Sequence, residues 1–384
     1  MKESLYGELC VVGMRGCEPF VQQVDNYLKE WRRHGGDESF VASVECPRFS
    51  TGEAKALLHQ SMRGQDVYII CDPFNYGVTY KMYGKEVPMS PDDHFADLKR
   101  VIAAIEGKAR RVSVIMPMLY EGRQHKRSTR ESLDCALMLQ ELSNMGVKNI
   151  ITFDAHDPRV QNAIPLSGFD DVRPTYQMIK AMVRQYPDLV IDKDHMMIIS
   201  PDEGAMGRCM YFSSMLGLDI GTFYKRRDYS KIVNGRNPIV AHEYLGKDLT
   251  GKDVIIVDDM ISSGESLLDV ALQLKEKGAN RIFNFATFGL FTDGFEKFDK
   301  AFKDGVITRI FTTNLVYRTP ELLSKKWYVE VNMCKYVSYI IDTLNHDETI
   351  SNLLNPAKRI QKLLDQHQKA QGGQMKMDFN GQKK

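Results

Sequence analysis

Short apolar runs alternate with amphipathic stretches along most of the chain. Strands are predicted at 9–12, 67–70, 112–116, 149–153, 196–199, 220–224, 254–257, 281–287 and 308–312, and the run at 254–257 is typical of a strand buried on both faces. Helical periodicity occupies intervals between them, at 130–144, 175–186, 204–216 and 267–274. This alternation predicts βαβ units. We therefore expect an α/β fold of two similar domains, each a central, mostly parallel sheet flanked by helices.

The chain of 384 residues is long enough for two domains, and the pattern divides near residues 165–175. We expect an N-terminal α/β domain at 1–168 and a C-terminal α/β domain at 169–335, followed by a helical segment at 336–364. The tail at 365–384 is rich in Gln, Lys and Gly, and we predict that it is disordered. The segment 72–93 lacks periodicity and is predicted to be a long loop.

Composition excludes several classes of protein. The net charge is +1, so overall electrostatics gives no reason to expect nucleic acid or a membrane as a partner. We see neither a run of about 20 apolar residues nor a signal peptide. The seven cysteines are scattered and form no CxxC pair, a pattern that favours reduced thiols in a cytoplasmic protein.

The stretch from Val254 to Ser266 carries the most chemistry. A buried strand leads into Asp258 and Asp259, and the small residues 262–264 then lead into an amphipathic helix. Loop amides and a helix N-terminus bind phosphate, while carboxylates bind ribose hydroxyls or Mg²⁺. The plainer interpretation is an ordinary strand, turn and helix with an acidic loop. The candidate ligand-binding residues are Asp258, Asp259, Ser262, Ser263, Gly264 and Ser266.

Polar segments that follow other predicted strands add to this pattern. Arg123 and Gln124 open a loop rich in cations, which suits a polyphosphate or is simply a solvated basic loop. His156 lies between carboxylates, and Asp202 precedes a predicted helix, so each is a candidate ligand of Mg²⁺.

Two further segments are weaker alone. A turn at 47–53 carries Phe49, able to stack on a base, and Glu53, able to accept from an exocyclic amine; a plain surface turn is the simpler interpretation. Tyr224 is followed by Lys225, Arg226 and Arg227, at the end of a predicted strand and the start of a polar stretch.

In this order, the segments resemble ribose-phosphate pyrophosphokinase (PRPP synthetase) over roughly residues 8–350; plain phosphoribosyltransferases share only the loop at 258–266. The resemblance implies phosphoribosyltransferase-like domains, the first on the ATP side and the second on the ribose 5-phosphate side. It implies transfer of the diphosphoryl group of MgATP to the 1-hydroxyl of ribose 5-phosphate, giving PRPP and AMP. It also implies a homo-oligomer, up to a hexamer, with nucleotide contacts across subunits. The implied roles are adenine contacts for Phe49 and Glu53, ATP binding for Arg123 and Gln124, Mg²⁺ binding for His156 and Asp202, ribose hydroxyl contacts for Asp258 and Asp259, 5-phosphate binding for 262–266, and catalysis by Lys225 and Arg227.

Several positions depart from the family pattern. Ser262 replaces an Asp of the phosphate loop, Glu265 replaces a small residue, and His125 stands where the ATP segment usually has Asp. The transfer residues remain, and we therefore expect an active, divergent enzyme. The alternatives are a non-catalytic, nucleotide-binding regulatory paralogue, a phosphoribosyltransferase that consumes PRPP, and a structural assembly protein.

Overall fold

The computed structural model describes residues 5–32, 39–227 and 239–380. The chain forms two compact units. The first comprises residues 1–174, 314–319 and 332–354, and the second comprises residues 175–313, 320–331 and 355–384. In the described part of the chain, no helix combines the length and apolar character that a membrane crossing requires.

The regular elements alternate between strand and helix through most of both units. The strands are β1 (Glu8–Gly13), β2 (Val44–Glu45), β3 (Leu57–Leu58), β4 (Gln65–Ile70), β5 (Thr79–Met82), β6 (Lys85–Pro88), β7 (Arg111–Ile115), β8 (Asn149–Phe153), β9 (Gly168–Val172), β10 (Met196–Ser200), β11 (Asp219–Arg227), β12 (Ile239–Leu245), β13 (Asp253–Ile261), β14 (Ile282–Gly289), β15 (Arg309–Thr313) and β16 (Tyr328–Val331). The α-helices are α1 (Glu18–Arg32), α2 (Pro91–Ile105), α3 (Asp134–Asn144), α4 (Thr175–Gln185), α5 (Met206–Leu216), α6 (Glu265–Glu276), α7 (Glu296–Lys303), α8 (Pro320–Ser324), α9 (Cys334–Asn345), α10 (Ser351–Leu354) and α11 (Ala357–Asn380).

The first unit is built on a parallel sheet of order β1-β4-β7-β8-β9. β7 is buried along its whole length, including the polar residues Arg111 and Ser113. In the hydrophobic core of the first unit, strand residues such as Val67 and Val114 pack with Leu98 of α2 and Leu139 of α3. Because β9 completes this sheet, the domain boundary predicted at 168 cuts off its last strand, and the structure places the boundary after residue 174.

The segment 72–93 is more regular than the sequence suggested. β5 and β6 pair antiparallel as a hairpin, which corrects the prediction of a long loop. Helix α2 then begins at Pro91, and Ser90 and Asp93 form a capping box around its first turn.

The second unit is built on a seven-stranded sheet of order β12-β11-β10-β13-β14-β15-β16. All its strand pairs are parallel except the antiparallel edge pair of β11 and β12. The family-like loops follow β10 and β13, which are neighbours in the sheet. The carboxyl ends of parallel neighbours meet at one sheet edge, where open α/β sheets bind ligands.

The C-terminal region differs from the prediction. Helix α9 belongs to the first unit, where the Asn345 amide donates to Gly7 O at 3.0 Å and to Asp66 Oδ2 at 2.9 Å. Helix α11 spans Ala357–Asn380, a region where the sequence predicts disorder from residue 365. His367 is buried and contacts Leu189 O at 2.7 Å, and the Gln371 amide donates to the same oxygen at 2.6 Å. These contacts attach the helix to Leu189 at residues 367 and 371, although its composition is polar.

Candidate functional site

Strand β13 extends through the acidic pair instead of ending before it. Asp258 still pairs with Ala286 in the β14 ladder, and the strand continues to Ile261. The loop that follows is fixed by the segment after β14, because Leu290 N donates to Ile261 O at 2.8 Å and Thr292 N donates to Ser262 O at 3.0 Å. The predicted sugar-phosphate residues 258–266 therefore lie together in one strand, one short loop and the first turn of α6.

Gly264 cannot be replaced by a residue with a side chain without strain. Its φ is +81°, and a Cβ atom built on it lies 2.1 Å from Cζ of Phe298. Helix α6 starts immediately afterwards without a side-chain cap. Glu265 N makes only a long contact of 3.4 Å with Ser263 Oγ. The backbone N–H groups of the first turn are thus suited to donate hydrogen bonds to an anion, as the phosphate-binding prediction requires.

The two carboxylates have different environments. Asp259 is buried, and Arg208 Nη2 of α5 lies 3.9 Å from its Oδ2. Asp258 is half-buried and accepts from Asp259 N at 2.9 Å. Burial, together with the neighbouring charge of Asp259, raises the pKa of the Asp258 carboxyl well above its usual range. A cluster of hydroxyl donors, such as ribose, relieves this desolvation by hydrogen bonding.

Glu265, the least expected residue of the loop, has its charge directed to a cation. Its carboxylate lies 3.5 Å from Nζ of Lys297 in α7, and its side chain is 75% exposed. Lys297 Nζ also lies 3.4 Å from Oδ2 of Asp293, so the lysine offsets the charge of Glu265 only in part. This partner was not predictable from local sequence, because Lys297 lies 32 residues along the chain from Glu265.

Asp202 has a structural contact in addition to its predicted role. Its Oδ1 accepts from Gly204 N at 3.0 Å and from Ala205 N at 3.2 Å, ahead of α5. Arg208, in the same segment, was not assigned a role from the sequence. Its position in the first turn of α5 was the only available signal.

In the first unit, the cationic loop after β7 meets the loop after β8. Nε2 of His125 lies 3.5 Å from Oδ2 of Asp157, and the His125 and His156 ring centroids are 5.2 Å apart. The Gln124 amide donates to Ser132 O at 3.0 Å, while Arg123 is exposed. Burial, and then the neighbouring His156, lowers the pKa of His125. The replacement of a carboxylate by His125 thus puts a second imidazole beside the predicted Mg²⁺ ligand.

Phe49 and Glu53 lie on an exposed turn between β2 and β3. The turn is closed by hydrogen bonds from Phe49 N to Glu53 O at 2.7 Å and from Gly52 N to Phe49 O at 2.9 Å. Phe49 is 54% exposed, and Glu53 accepts from Thr51 Oγ1 at 2.8 Å. Within the described residues, no hydrogen bond or ring contact joins this turn to Arg123 or Gln124.

Lys225 and Arg227 lie at the end of β11. Their backbones pair with β12, Lys225 opposite His242 and Arg227 opposite Ile239, with a register shift between residues 226 and 227. The polar stretch predicted after them, at 228–237, lies outside the described residues.

Mg²⁺ is the metal that the family resemblance implies. Among the described residues, no group of three or more His, Cys, Asp or Glu side chains is arranged to enclose a metal ion. Mg²⁺ commonly keeps several waters and binds through one or two side chains together with substrate phosphates. Taken separately, His156 and Asp202 each fit that open kind of ligation.

These features define a class, an α/β protein of two units with phosphate-type loops at the carboxyl ends of parallel strands. Residues 9–146 match the N-terminal domain of ribose phosphate pyrophosphokinase, and residues 231–355 match the phosphoribosyl synthetase-associated domain. The ribose-phosphate pyrophosphokinase of Vibrio cholerae is 28% identical over 86% of this chain and 97% of its own length. That of Shewanella oneidensis is 29% identical over 80% of this chain and 89% of its own length.

Phosphoribosylpyrophosphate synthetase from Mycobacterium smegmatis has the same fold, with a TM-score of 0.71, 20% identity, and coverage of 88% of this chain and 99% of that one. The chain belongs to the ribose-phosphate pyrophosphokinase family, as a divergent member. The predictions of the family and of the α/β fold class are confirmed.

Proposed function

We propose that this chain is a Mg²⁺-dependent ribose-phosphate diphosphokinase. It transfers the diphosphoryl group of ATP to the 1-hydroxyl of ribose 5-phosphate and releases PRPP and AMP. The observation that carries the proposal is the segment 258–266, where the acidic pair in β13 is followed by a short loop and an uncapped helix N-terminus. The one added negative charge in that loop, on Glu265, lies beside Lys297.

The reaction needs positioning and charge stabilisation more than covalent catalysis. The 1-oxygen of ribose 5-phosphate forms a bond to the β-phosphorus, and the bond from that phosphorus to the oxygen shared with the α-phosphate breaks. The bridging oxygen leaves with AMP, and the proton of the 1-hydroxyl is released.

The residue roles in this proposal are those that the resemblance to the family implies. Asp258 and Asp259 hold the ribose hydroxyls, and Ser262, Ser263, Gly264 and Ser266 hold the 5-phosphate. Lys225 and Arg227 stabilise the charge that develops on the transferring phosphates. His156 and Asp202 are each a candidate ligand of Mg²⁺, and a bound Mg²⁺ would supply neutralisation of part of that charge.

The ATP-binding role is assigned to four exposed or half-buried side chains. Arg123 and Gln124 hold the nucleotide, and Phe49 and Glu53 contact adenine across a subunit boundary in a homo-oligomer. The exposure of Phe49 is consistent with this role, because an aromatic ring in water gains from stacking on a base.

One observation favours a second candidate, a regulatory paralogue that binds nucleotide without reacting. His125 puts an imidazole beside His156 at a position where the family pattern has a carboxylate. This replacement changes the charge around the predicted Mg²⁺ ligand and leaves nucleotide binding possible.

An assay coupled to AMP formation separates the two candidates. The full chain is incubated with ATP, Mg²⁺ and ribose 5-phosphate, and nucleotide binding is measured in parallel by calorimetry. AMP formation that requires ribose 5-phosphate supports the diphosphokinase. Binding of ATP without AMP supports the regulatory paralogue, and His125→Asp then tests whether the lost carboxylate is the reason.

A further inference from the structure

The β5–β6 hairpin ends in a turn whose sequence is unfavourable for its shape. Only Tyr83 and Gly84 separate the paired residues Met82 and Lys85, and both have positive φ, 47° and 77°. Two-residue turns of this kind favour Asn or Asp before Gly, because a larger side chain is strained in the left-handed region. Tyr83 is also 76% exposed, so its ring does not repay the strain by packing into a core.

The hairpin is attached to the turn that carries Phe49. Tyr83 N donates to Ser50 O at 2.8 Å, and Met82 Sδ lies 2.9 Å from a Cβ atom built on Gly52. Two exposed aromatic residues, Phe49 and Tyr83, therefore project from backbone segments that one hydrogen bond joins.

The base of the hairpin is fixed as well. The guanidinium of Arg48 is 4.9 Å from the centroid of the Tyr80 ring, and Arg48 Nη2 donates to Asp97 Oδ2 of α2 at 2.8 Å. The Arg48 side chain is only 5% exposed. These contacts hold the hairpin and the turn together. Exposed aromatic rings on a backbone that is already ordered lose little conformational entropy when they bind a flat ligand.

We propose that the hairpin is part of the nucleotide site, and that Tyr83 forms a second aromatic contact, beside Phe49, for the adenine base of ATP. This inference rests on the proposed function, because it is that function which assigns Phe49 to adenine. Backbone strain at an exposed aromatic residue is explained by a binding role, since strained residues concentrate at ligand sites.

The test compares Tyr83→Asn with Tyr83→Phe in the full-length protein. Asn adopts the left-handed turn more readily than Tyr, so Tyr83→Asn is expected to keep or raise the melting temperature. The same variant is expected to weaken ATP binding about 5- to 150-fold, the range for loss of one base–aromatic stack. Tyr83→Phe keeps the ring and is expected to bind ATP like the wild type.

Inorganic tripolyphosphate with Mg²⁺ provides the matched ligand, because it carries the phosphates without the base. Its affinity is expected to be the same for all three proteins. Wild-type ATP affinity in Tyr83→Asn, or an equal loss for tripolyphosphate, overturns the inference and leaves the proposed reaction untouched. A loss specific to ATP in a protein that forms no AMP supports the inference while the proposed reaction fails. A wild-type chain that binds no adenine nucleotide overturns both.

Discussion

Replacing Gly264 by Ala tests whether the loop after β13 has the conformation described. The new methyl group is placed 2.1 Å from Phe298 Cζ, far inside ordinary contact. Phe298 is fully buried, with its ring centroid 5.3 Å from Trp327 and 5.1 Å from Phe291, so it has little space to move. The left-handed backbone costs about 1–2 kcal/mol for a residue with a Cβ, and overpacking adds about 1–3 kcal/mol. We expect a loss of about 2–5 kcal/mol in the free energy of unfolding.

Gly217 provides the matched control in the same unit. Its φ is +69°, and a Cβ atom there meets nothing within 4 Å. Gly217→Ala should therefore cost only the backbone term of about 1–2 kcal/mol. The difference between the two variants isolates the contact with Phe298, and a Phe298→Leu background should reduce it.

Urea titrations followed by tryptophan fluorescence measure these costs. The chain has two tryptophans, and a Trp31→Phe background leaves Trp327 as the reporter of the second unit. Equal destabilisation by Gly264→Ala and Gly217→Ala would refute the reasoning, since it would mean that the methyl group at 264 meets no buried ring.

Three other predictions concern single side chains. Lys297→Met removes the cation beside Glu265, and it should raise the KM for ribose 5-phosphate about 1.5- to 5-fold, the range for an exposed ion pair. Lys297→Arg keeps the charge and should leave the KM unchanged. An unchanged KM in Lys297→Met would contradict the pairing. Burial raises the pKa of Asp72 to about 6, so the folded protein binds this proton more tightly than the unfolded chain. The resulting stabilisation, at most about 3 kcal/mol, is fully present below about pH 4 and is lost as the pH rises through 6. The melting temperature of the wild type should therefore fall between pH 4 and pH 7, and that of Asp72→Asn should change less over the same range. Lys225→Ala should lower kcat about 100- to 1000-fold, as removal of a transition-state donor does, with little change in ribose 5-phosphate affinity; preserved turnover would exclude Lys225 from catalysis.

The strands were predictable where burial is complete on both faces. The run at 254–257 indicates a buried strand whatever surrounds it, and β13 includes it. The extension of β13 to Ile261 was not predictable, because pairing with β14, and not local composition, keeps Asp258 and Asp259 in the strand. The predicted helices at 130 and 204 begin later, at Asp134 and Met206, since neighbouring loops take up the first residues.

The start of helix α2 is marked in the sequence by a capping box and a proline. Ser90, Pro91 and Asp93 form a capped helix start, yet the prolines and glycines before them led to the prediction of a long loop. The hairpin before it was hidden for a physical reason, because its turn is Tyr-Gly in place of the favoured Asn-Gly.

The segments that form the candidate site were predictable from the sequence. The contacts between side chains of different segments were not. Asp258, Asp259 and the small residues after them were identified from their order along one strand and loop. The pairing of Glu265 with Lys297, and the approach of His125 to His156, depend on tertiary contacts between distant segments. No local pattern encodes those contacts.

The most direct test of the proposed reaction is a ³¹P NMR time course of the full-length protein with ATP, Mg²⁺ and ribose 5-phosphate. The proposal predicts that PRPP and AMP appear in equal amounts, that neither forms without ribose 5-phosphate, and that Lys225→Ala slows both together. Formation of ADP in place of AMP, or intact ATP in a sample that binds it, would contradict the assignment of this chain as a diphosphokinase.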